Sequence, residues 1–100
     1  MNEDALRGSG RTRAQIITAP KNAVFVWPNE ELWYPKALAQ DELRTDLRIV
    51  GRAWLNTERN FCMEGAIDVV VDHSTWGRLT DAQRRTLWVI EQLVKSRRGF

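Results

Sequence analysis

A short run that is apolar at every position, Ala23-Val24-Phe25-Val26-Trp27, constrains the fold of this chain more than any other feature. An unbroken apolar run of this length is typical of a β-strand that is covered on both faces, as in a parallel sheet. Ile67 to Asp72, which contains three consecutive valines, predicts a second strand of the same kind. Leu47 to Leu55 alternates loosely between apolar and polar residues, and this pattern predicts a third strand.

Helical patterns lie between the predicted strands. The composition from Thr12 to Ala19 suits a helix that ends at Pro20, because proline cannot continue helical hydrogen bonding. Asn29 is expected to cap a second helix, with acidic residues in the first turn, where the helix dipole favours them. Pro35 is then expected either to kink that helix or to begin a second piece, which runs to about Thr45.

The carboxyl-terminal part of the chain is expected to contain a loop over residues 56–65 and a final helix. Thr80-Asp81-Ala82-Gln83 is a capping-box signature, in which two side chains and two backbone N–H groups bond reciprocally. The apolar stripe that follows at helical spacing contains Leu87, Ile90 and Val94. Strands separated by helices imply parallel connections. The predicted fold class is therefore α/β, with a small, mainly parallel sheet of about three strands and flanking helices.

The size and composition of the chain limit its class. One hundred residues suffice for one small domain, and 43% hydrophobic with 28% charged residues is typical of a globular protein rather than a disordered one. We expect a single α/β domain over residues 14–100, preceded by a flexible or phosphate-loop-like lead-in over residues 1–13. A net charge of +2 permits contact with nucleic acid without requiring it.

The expected environment is the cytoplasm. Cys62 is the only cysteine, so no internal disulfide can form and a reducing compartment is expected. Residues 1–7 include Glu3 and Asp4 and have no apolar core, which argues against a secretory signal. No apolar run approaches the roughly 20 residues that a membrane span requires, so we expect no membrane partner.

The residues that suggest chemistry form two short groups. Gly8-Ser9-Gly10 is expected to form a turn whose backbone N–H groups can face an anion without obstruction by side chains. Arg11 supplies a cation and Thr12 a hydroxyl at the expected start of a helix. Asp72 supplies an acid at the tip of the valine-rich strand, and the two groups are expected to lie side by side. Together they predict a phosphate-binding site; a flexible lead-in is the alternative interpretation of the Gly-Ser-Gly segment.

This arrangement resembles the P-loop nucleoside triphosphatases, and within them the short phage-borne proteins that carry a G-R-T variant of the phosphate loop. The resemblance covers most of the chain, in the order loop, helix, strand, helix, strand, strand, helix. Gly10, Arg11 and Thr12 match the end of the family's G-x-x-x-x-G-K-[ST] loop. Asp72 matches the acid of its second motif, and His73 follows that acid. The resemblance implies a shortened P-loop fold of phage origin, whose ligand would be a Mg-nucleotide or the phosphates of a nucleic acid.

The chain departs from the family pattern at three points. Ala5 stands where the loop has its first glycine, and Arg11 stands where it has its lysine. Residues 1–6 also lack the hydrophobic strand from which the loop normally hangs. Because transition-state positioning is sensitive to errors of about 1 Å, we expect a non-catalytic binding protein. Residual triphosphatase activity is the weakest alternative, and no catalytic residue or metal ligand is assigned.

Five tryptophans are unusual for a chain of this length. Trp27 and Trp88 are expected in the core, because the first ends a buried strand and the second lies near the apolar stripe of the last helix. Other aromatic residues near the ends of predicted elements are typical of protein interfaces. An alternative function is therefore a small accessory or inhibitor protein that docks on a host or phage protein. The aromatic residues expected to form its partner surface are Trp33, Tyr34, Trp54 and Trp76.

Overall fold

Strands and helices alternate through the part of the chain that the computed structural model describes, residues 3–64 and 68–97. In chain order they are α1 (Glu3–Thr18), β1 (Val24–Val26), α2 (Trp33–Asp41), β2 (Arg48–Val50), α3 (Arg59–Glu64), β3 (Val69–Val71) and α4 (Asp81–Arg97). Two 3₁₀ helices span Arg52–Asn56 and Trp76–Arg78. The strands form one parallel sheet in the order β2-β1-β3, which confirms the predicted α/β class.

The central strand is β1, the unbroken apolar run of the sequence. Phe25 pairs with Ile49 of β2 and with Val70 of β3. All three residues of β1 are buried, as the run predicts for a strand covered on both faces. The strands predicted over residues 23–27 and 67–72 are thus confirmed with narrower bounds, and Ile67 lies outside the described residues.

Helices cover both faces of the sheet, because side chains along a strand point alternately to opposite faces. Val26 packs into a hydrophobic cluster with Ile90 of α4, which also includes residues of α3 and the first 3₁₀ helix. Phe25 packs into the other cluster with Ile16 of α1 and Leu38 of α2. The sheet is therefore the middle layer of three, with α1 and α2 on one face and α3 and α4 on the other.

The prediction of a strand over residues 47–55 is wrong for its second half, because β2 ends at Val50 and a 3₁₀ helix follows. Contacts between distant segments hold this turn. The Arg52 side chain donates a hydrogen bond to the Pro28 carbonyl oxygen (2.6 Å), and Leu55 is fully buried. A local pattern of alternation carries no information about such contacts.

The start of α2 also differs from the prediction. Asn29 does not cap the helix, because its Oδ1 accepts a hydrogen bond from the Glu31 N–H (2.8 Å) in the preceding loop. The helix begins at Trp33, and Pro35 lies in its first turn, where a missing N–H removes no helical hydrogen bond. Two alternatives were predicted for Pro35, a kink within a helix or the first residue of one. The second agrees better with the structure, because Pro35 lies two residues after the start of α2.

The end of α2 is set by a turn with a left-handed residue. The helix ends at Asp41 rather than near Thr45, and Leu43 has a φ of 56°. The Arg44 N–H bonds back to the Ala39 carbonyl oxygen (2.7 Å), as in a Schellman motif. Leucine is an unusual residue for this conformation, so its side chain gave no sign of the helix end.

A helix replaces most of the loop predicted over residues 56–65. The prediction is therefore wrong for the residues of α3. At the start of this helix, the Arg59 N–H donates a hydrogen bond to Thr57 Oγ1 (3.2 Å). Phe61 is fully buried and fixes this six-residue helix against the sheet. Phe61 is the one buried residue among the described side chains of α3, which is too few for a periodic pattern, and Gly65 lies outside the described residues.

The first helix is longer than predicted. α1 begins at Glu3, so the boundary expected between residues 13 and 14 falls inside it. Gly8-Ser9-Gly10 is helical, and the predicted turn is wrong. Each glycine costs a helix about 1 kcal/mol relative to alanine, which is why this segment predicts a turn. The later turns of the helix are held by the sheet, against which Ile16 is fully buried.

The last helix begins as predicted. The Thr80 N–H donates to Gln83 Oε1 (3.1 Å) and the Gln83 N–H donates to Thr80 Oγ1 (3.1 Å), which confirms the capping box.

Trp88 is 61% exposed, so its predicted place in the core is wrong. Trp27 is half-buried beside the α1–α2 cluster. Over the described ranges, no helix has the length and apolar character that crossing a bilayer requires.

Candidate functional site

A buried hydrogen-bond network joins the carboxyl end of β3 to the middle of α1. Asp72, the residue after β3, is fully buried. Its Oδ1 accepts a hydrogen bond from the Thr12 hydroxyl (2.9 Å), and its Oδ2 accepts bonds from the Ser74 N–H (3.0 Å) and the Ser74 hydroxyl. Both carboxylate oxygens are therefore engaged, as a buried carboxylate requires. The structure brings Thr12 and Asp72 together, as the sequence predicts.

His73 extends this network toward solvent. Its Nε2 lies 3.3 Å from Thr12 Oγ1. Because the only hydroxyl hydrogen of Thr12 goes to Asp72, a hydrogen bond here requires the imidazole hydrogen on Nε2. His73 is half-buried and Ser74 is exposed, whereas Thr12 and Asp72 are buried. Solvent thus reaches the network at His73 and Ser74.

Gln15 covers the outer edge of β3 in the way that a neighbouring strand would. Its Nε2 donates to the Val71 carbonyl oxygen (3.0 Å), and its Oε1 accepts from the His73 N–H (2.8 Å). A side-chain amide carries the same donor and acceptor as a peptide group. One residue of α1 therefore satisfies two backbone groups that the sheet leaves unpaired. No pattern in the sequence indicates this role.

The network does not provide a phosphate cradle in this conformation. The N–H groups of Gly10, Arg11 and Thr12 lie well inside α1, where they donate along the helix rather than to a ligand. The carboxylate of Asp72 already accepts three hydrogen bonds. In the described ranges, no group of three or more histidine, cysteine or acidic residues could hold a metal ion. These residues therefore do not fit a Mg-nucleotide as they are arranged.

The residues predicted to bind phosphate are thus only partly assembled. Thr12 and Asp72 are in contact, whereas Arg11 is exposed. Gly8-Ser9-Gly10 lies in α1 as well, in the turn before Thr12. Phosphate binding by these residues stays a prediction.

A second polar cluster closes the carboxyl end of α1. The Arg44 guanidinium donates to the carbonyl oxygens of Ile16 (2.7 Å), Ile17 (2.9 Å) and Ala19 (2.8 Å). It also bonds to the Asp46 carboxylate through Nε (3.1 Å) and Nη2 (3.0 Å). The last carbonyl groups of a helix have no intrahelical partner, and one arginine supplies donors for two of them and for the Ala19 carbonyl group just beyond α1.

Arg44 and Asp46 shift each other's ionisation. The hydrogen bond from the Arg44 guanidinium is the largest cause that holds the pKa of Asp46 well below its usual range. A hydrogen bond from the Asn22 N–H (2.8 Å) adds to this effect. The same pair raises the pKa of Arg44, mainly through the hydrogen bond to Asp46. The cluster therefore stabilises the fold through two charged forms that support each other.

A groove of about 760 Å³ runs along the outer edge of β2. All of β2 lines it, together with Lys36 and Ala39 of α2 on one side and Ala53 and Trp54 on the other. The ring of Trp54 packs edge-on against Phe61, and its indole N–H is buried without a hydrogen-bond partner among the described residues. Sequence reasoning missed this groove, because no local pattern shows which strand lies at the edge of a sheet.

The aromatic residues predicted to form a partner surface lie in different places. Trp33 and Tyr34 are in contact (ring centroids 5.7 Å apart), and Tyr34 also contacts Trp27 (5.8 Å). Trp54 belongs to the wall of the groove. Trp76 is 46% exposed and follows β3 in the second 3₁₀ helix. The four residues are therefore spread over the molecule: Trp33 and Tyr34 lie in α2, Trp54 lies beside β2, and Trp76 lies after β3.

Comparisons with models of known protein families, with curated proteins and with solved structures gave no match to this chain.

Proposed function

We propose that this chain is a non-catalytic binding protein that docks on another protein through the groove beside β2. The observation that carries the proposal is the groove of about 760 Å³, which is lined by the edge strand β2 and by residues of α2 and of the first 3₁₀ helix. It follows the edge of a sheet, a surface that another chain can use. The carboxylate of Asp72, the acid expected at a phosphate site, is occupied by the protein's own donors.

Exposed apolar side chains at the two ends of α2 support a protein as the partner. Trp33 is 71% exposed and Leu43 is 85% exposed, and α2 supplies one wall of the groove. Tryptophan is among the residues that contribute most to binding energy at interfaces. Apolar groups next to a groove mark a surface that gains from being covered. A host or phage protein in the reducing cytoplasm, expected from the lone Cys62, is the partner in this proposal.

Peptides selected from a display library against the intact chain test this proposal. We expect a selected peptide to shift the NMR signal of the Trp54 indole N–H, because that ring lies in the groove wall. Trp33→Ala is expected to weaken binding about tenfold, or about 1.4 kcal/mol. Trp88→Ala is the matched control, since it removes an exposed tryptophan from α4 on the other face of the sheet. Equal losses in the two variants, or signal shifts confined to α4, would contradict the proposal.

A phosphate ligand at α1 is the second candidate, and the hydrogen bond between Thr12 and Asp72 favours it. That contact joins the two motifs on which the resemblance to P-loop proteins depends. Binding would require the backbone around Gly10 to leave the helix, because only then are its N–H groups free to face an anion. A nucleotide and a nucleic-acid backbone offer the same phosphate chemistry to such a site.

The Gly10→Ala variant distinguishes the helical conformation of this segment from the unwound turn that phosphate binding would require. An added Cβ at this position meets nothing within 4 Å, so the variant is expected to stabilise α1 by about 0.5–1 kcal/mol. If phosphate binding needs an unwound turn, the same variant must weaken binding of Mg-ATP and of inorganic tripolyphosphate, measured by calorimetry. Arg11→Ala is expected to weaken it too, whereas Arg85→Ala on α4 serves as the control. Absence of heat with both ligands would remove this candidate.

A further inference from the structure

The outer edge of β2 presents backbone groups that no other part of the described chain uses. The Arg48 N–H donates to the Ala23 carbonyl oxygen (3.0 Å), and the Val50 carbonyl oxygen accepts from the Trp27 N–H (2.7 Å). In a parallel ladder, residues alternate between facing the neighbouring strand and facing away from it. Ile49, which lies between these two residues, therefore directs its N–H and its carbonyl group away from β1.

The other edge of the sheet is treated differently. At β3 the outward groups of Val71 and His73 are bonded by Gln15 of α1. No described side chain makes the equivalent bonds to Ile49, and a groove borders β2 instead. The sheet thus has one edge that the protein covers with its own amide and one edge that opens into a groove.

The shape and lining of the groove suit an extended chain. Its floor is the backbone edge of β2, and its two walls come from elements on opposite faces of the sheet. Ala39 on one wall and Ala53 on the other are small, which leaves room for incoming side chains. Because side chains of a strand alternate between two faces, an inserted strand would place them against both walls in turn.

We propose that the partner enters as an extended segment and pairs with β2 as a fourth strand of the sheet. This inference rests on the proposed docking function and specifies its partner. The segment bonds to the N–H and carbonyl groups of Ile49, as in β-strand addition. It carries apolar side chains at alternate positions and an acidic residue near Lys36, a cationic residue that lines the groove.

A scan of N-methylated peptides tests the strand pairing directly. The probe is a linear peptide selected by display on the intact chain, resynthesised with one backbone N–H methylated at a time. Pairing with Ile49 predicts a pattern of period two, in which methylation at alternate positions weakens binding at least tenfold and methylation between them does not. A scan with no such alternation would overturn the inference.

The protein side of the pair is tested at Ile49. We expect hydrogen exchange of the Ile49 amide to slow at least tenfold on binding. Ile49→Pro is expected to abolish binding, because proline removes the outward N–H, while an edge strand tolerates it there. Ile49→Val keeps the N–H and is expected to bind as the wild type does. If the proline variant does not fold, the scan of N-methylated peptides still tests whether the partner pairs with β2.

The outcomes separate this inference from the function on which it rests. If no selected peptide moves the Trp54 indole signal, the proposed docking function itself fails. If a peptide moves that signal and requires Trp33, but leaves the exchange of the Ile49 amide unchanged, only the strand pairing fails. Sedimentation of the chain alone measures its oligomeric state. A dimer that Ile49→Pro dissociates would show that a second copy, rather than a foreign segment, occupies the groove.

Discussion

Replacing Asp72 by alanine is expected to lower the free energy of unfolding by about 3 kcal/mol. The carboxylate is fully buried and accepts hydrogen bonds from Thr12 and from two groups of Ser74. Without it, the buried hydroxyl of Thr12 loses its acceptor, and leaving a buried donor unsatisfied costs about 1–3 kcal/mol. The link between α1 and β3 weakens at the same time. Urea denaturation gives the change in stability, and hydrogen exchange along α1 shows whether the helix opens first.

Ser74→Ala is the matched control for this prediction. It removes one hydrogen bond to Asp72 Oδ2 but leaves the Ser74 N–H and the bond from Thr12 in place. We expect it to cost about 1 kcal/mol. A loss of less than about 1 kcal/mol in Asp72→Ala would show that water replaces the network and that the contact with α1 is not required.

Arg44→Ala is expected to cost about 2–3 kcal/mol, because one guanidinium bonds several carbonyl groups at the end of α1. Arg44→Lys is the control that keeps the charge. A lysine ammonium is a single point charge and cannot reproduce the fork of arginine donors, so we expect this variant to recover less than half of the loss. Thermal or urea denaturation measures both. Full recovery by lysine would show that charge, rather than the set of hydrogen bonds, closes the helix.

The pair of Arg44 and Asp46 also predicts how stability depends on pH. Folding lowers the pKa of Asp46, mainly through the hydrogen bond from Arg44, whereas an unfolded aspartate titrates near about 3.9. The contribution of Asp46 is therefore complete above about pH 4 and is lost as the pH falls from there toward the lowered pKa. The difference in unfolding free energy between the wild type and Asp46→Asn is expected to be constant at neutral pH and to shrink in acid. A difference that stays constant down to about pH 2 would contradict this assignment.

The layers of the fold could be predicted because their cause is local. Val24, Phe25 and Val26 are apolar in succession, and only a strand covered on both faces buries all three. The capping box at Thr80 and Gln83 is likewise a local arrangement, and the structure forms it as predicted. The elements that sequence reasoning misplaced depend on distant partners. The turn after β2 depends on Arg52 and Pro28, which are 24 residues apart in sequence.

The candidate site was also predicted only in part. The contact between Thr12 and Asp72 spans 60 residues and was nevertheless predicted, because a helix that follows a loop and the end of a strand suggested a known arrangement. The turn expected at Gly8-Ser9-Gly10 was not formed, because glycine permits a turn but does not forbid a helix. Glycine-rich spacing therefore indicated where α1 meets the sheet without fixing the backbone conformation there.

The amino-acid sequence alone determined that this chain buries parallel strands between helices, because burial on two faces requires apolar residues in an unbroken run. Only the tertiary structure decided which strands lie at the edges of the sheet and what covers each edge. Gln15 closes one edge, and a groove borders the other at Ile49. Strand order depends on how helices pack across the sheet, which is a property of the whole chain. The surface proposed to bind a partner is therefore set by contacts that no short segment of the sequence contains.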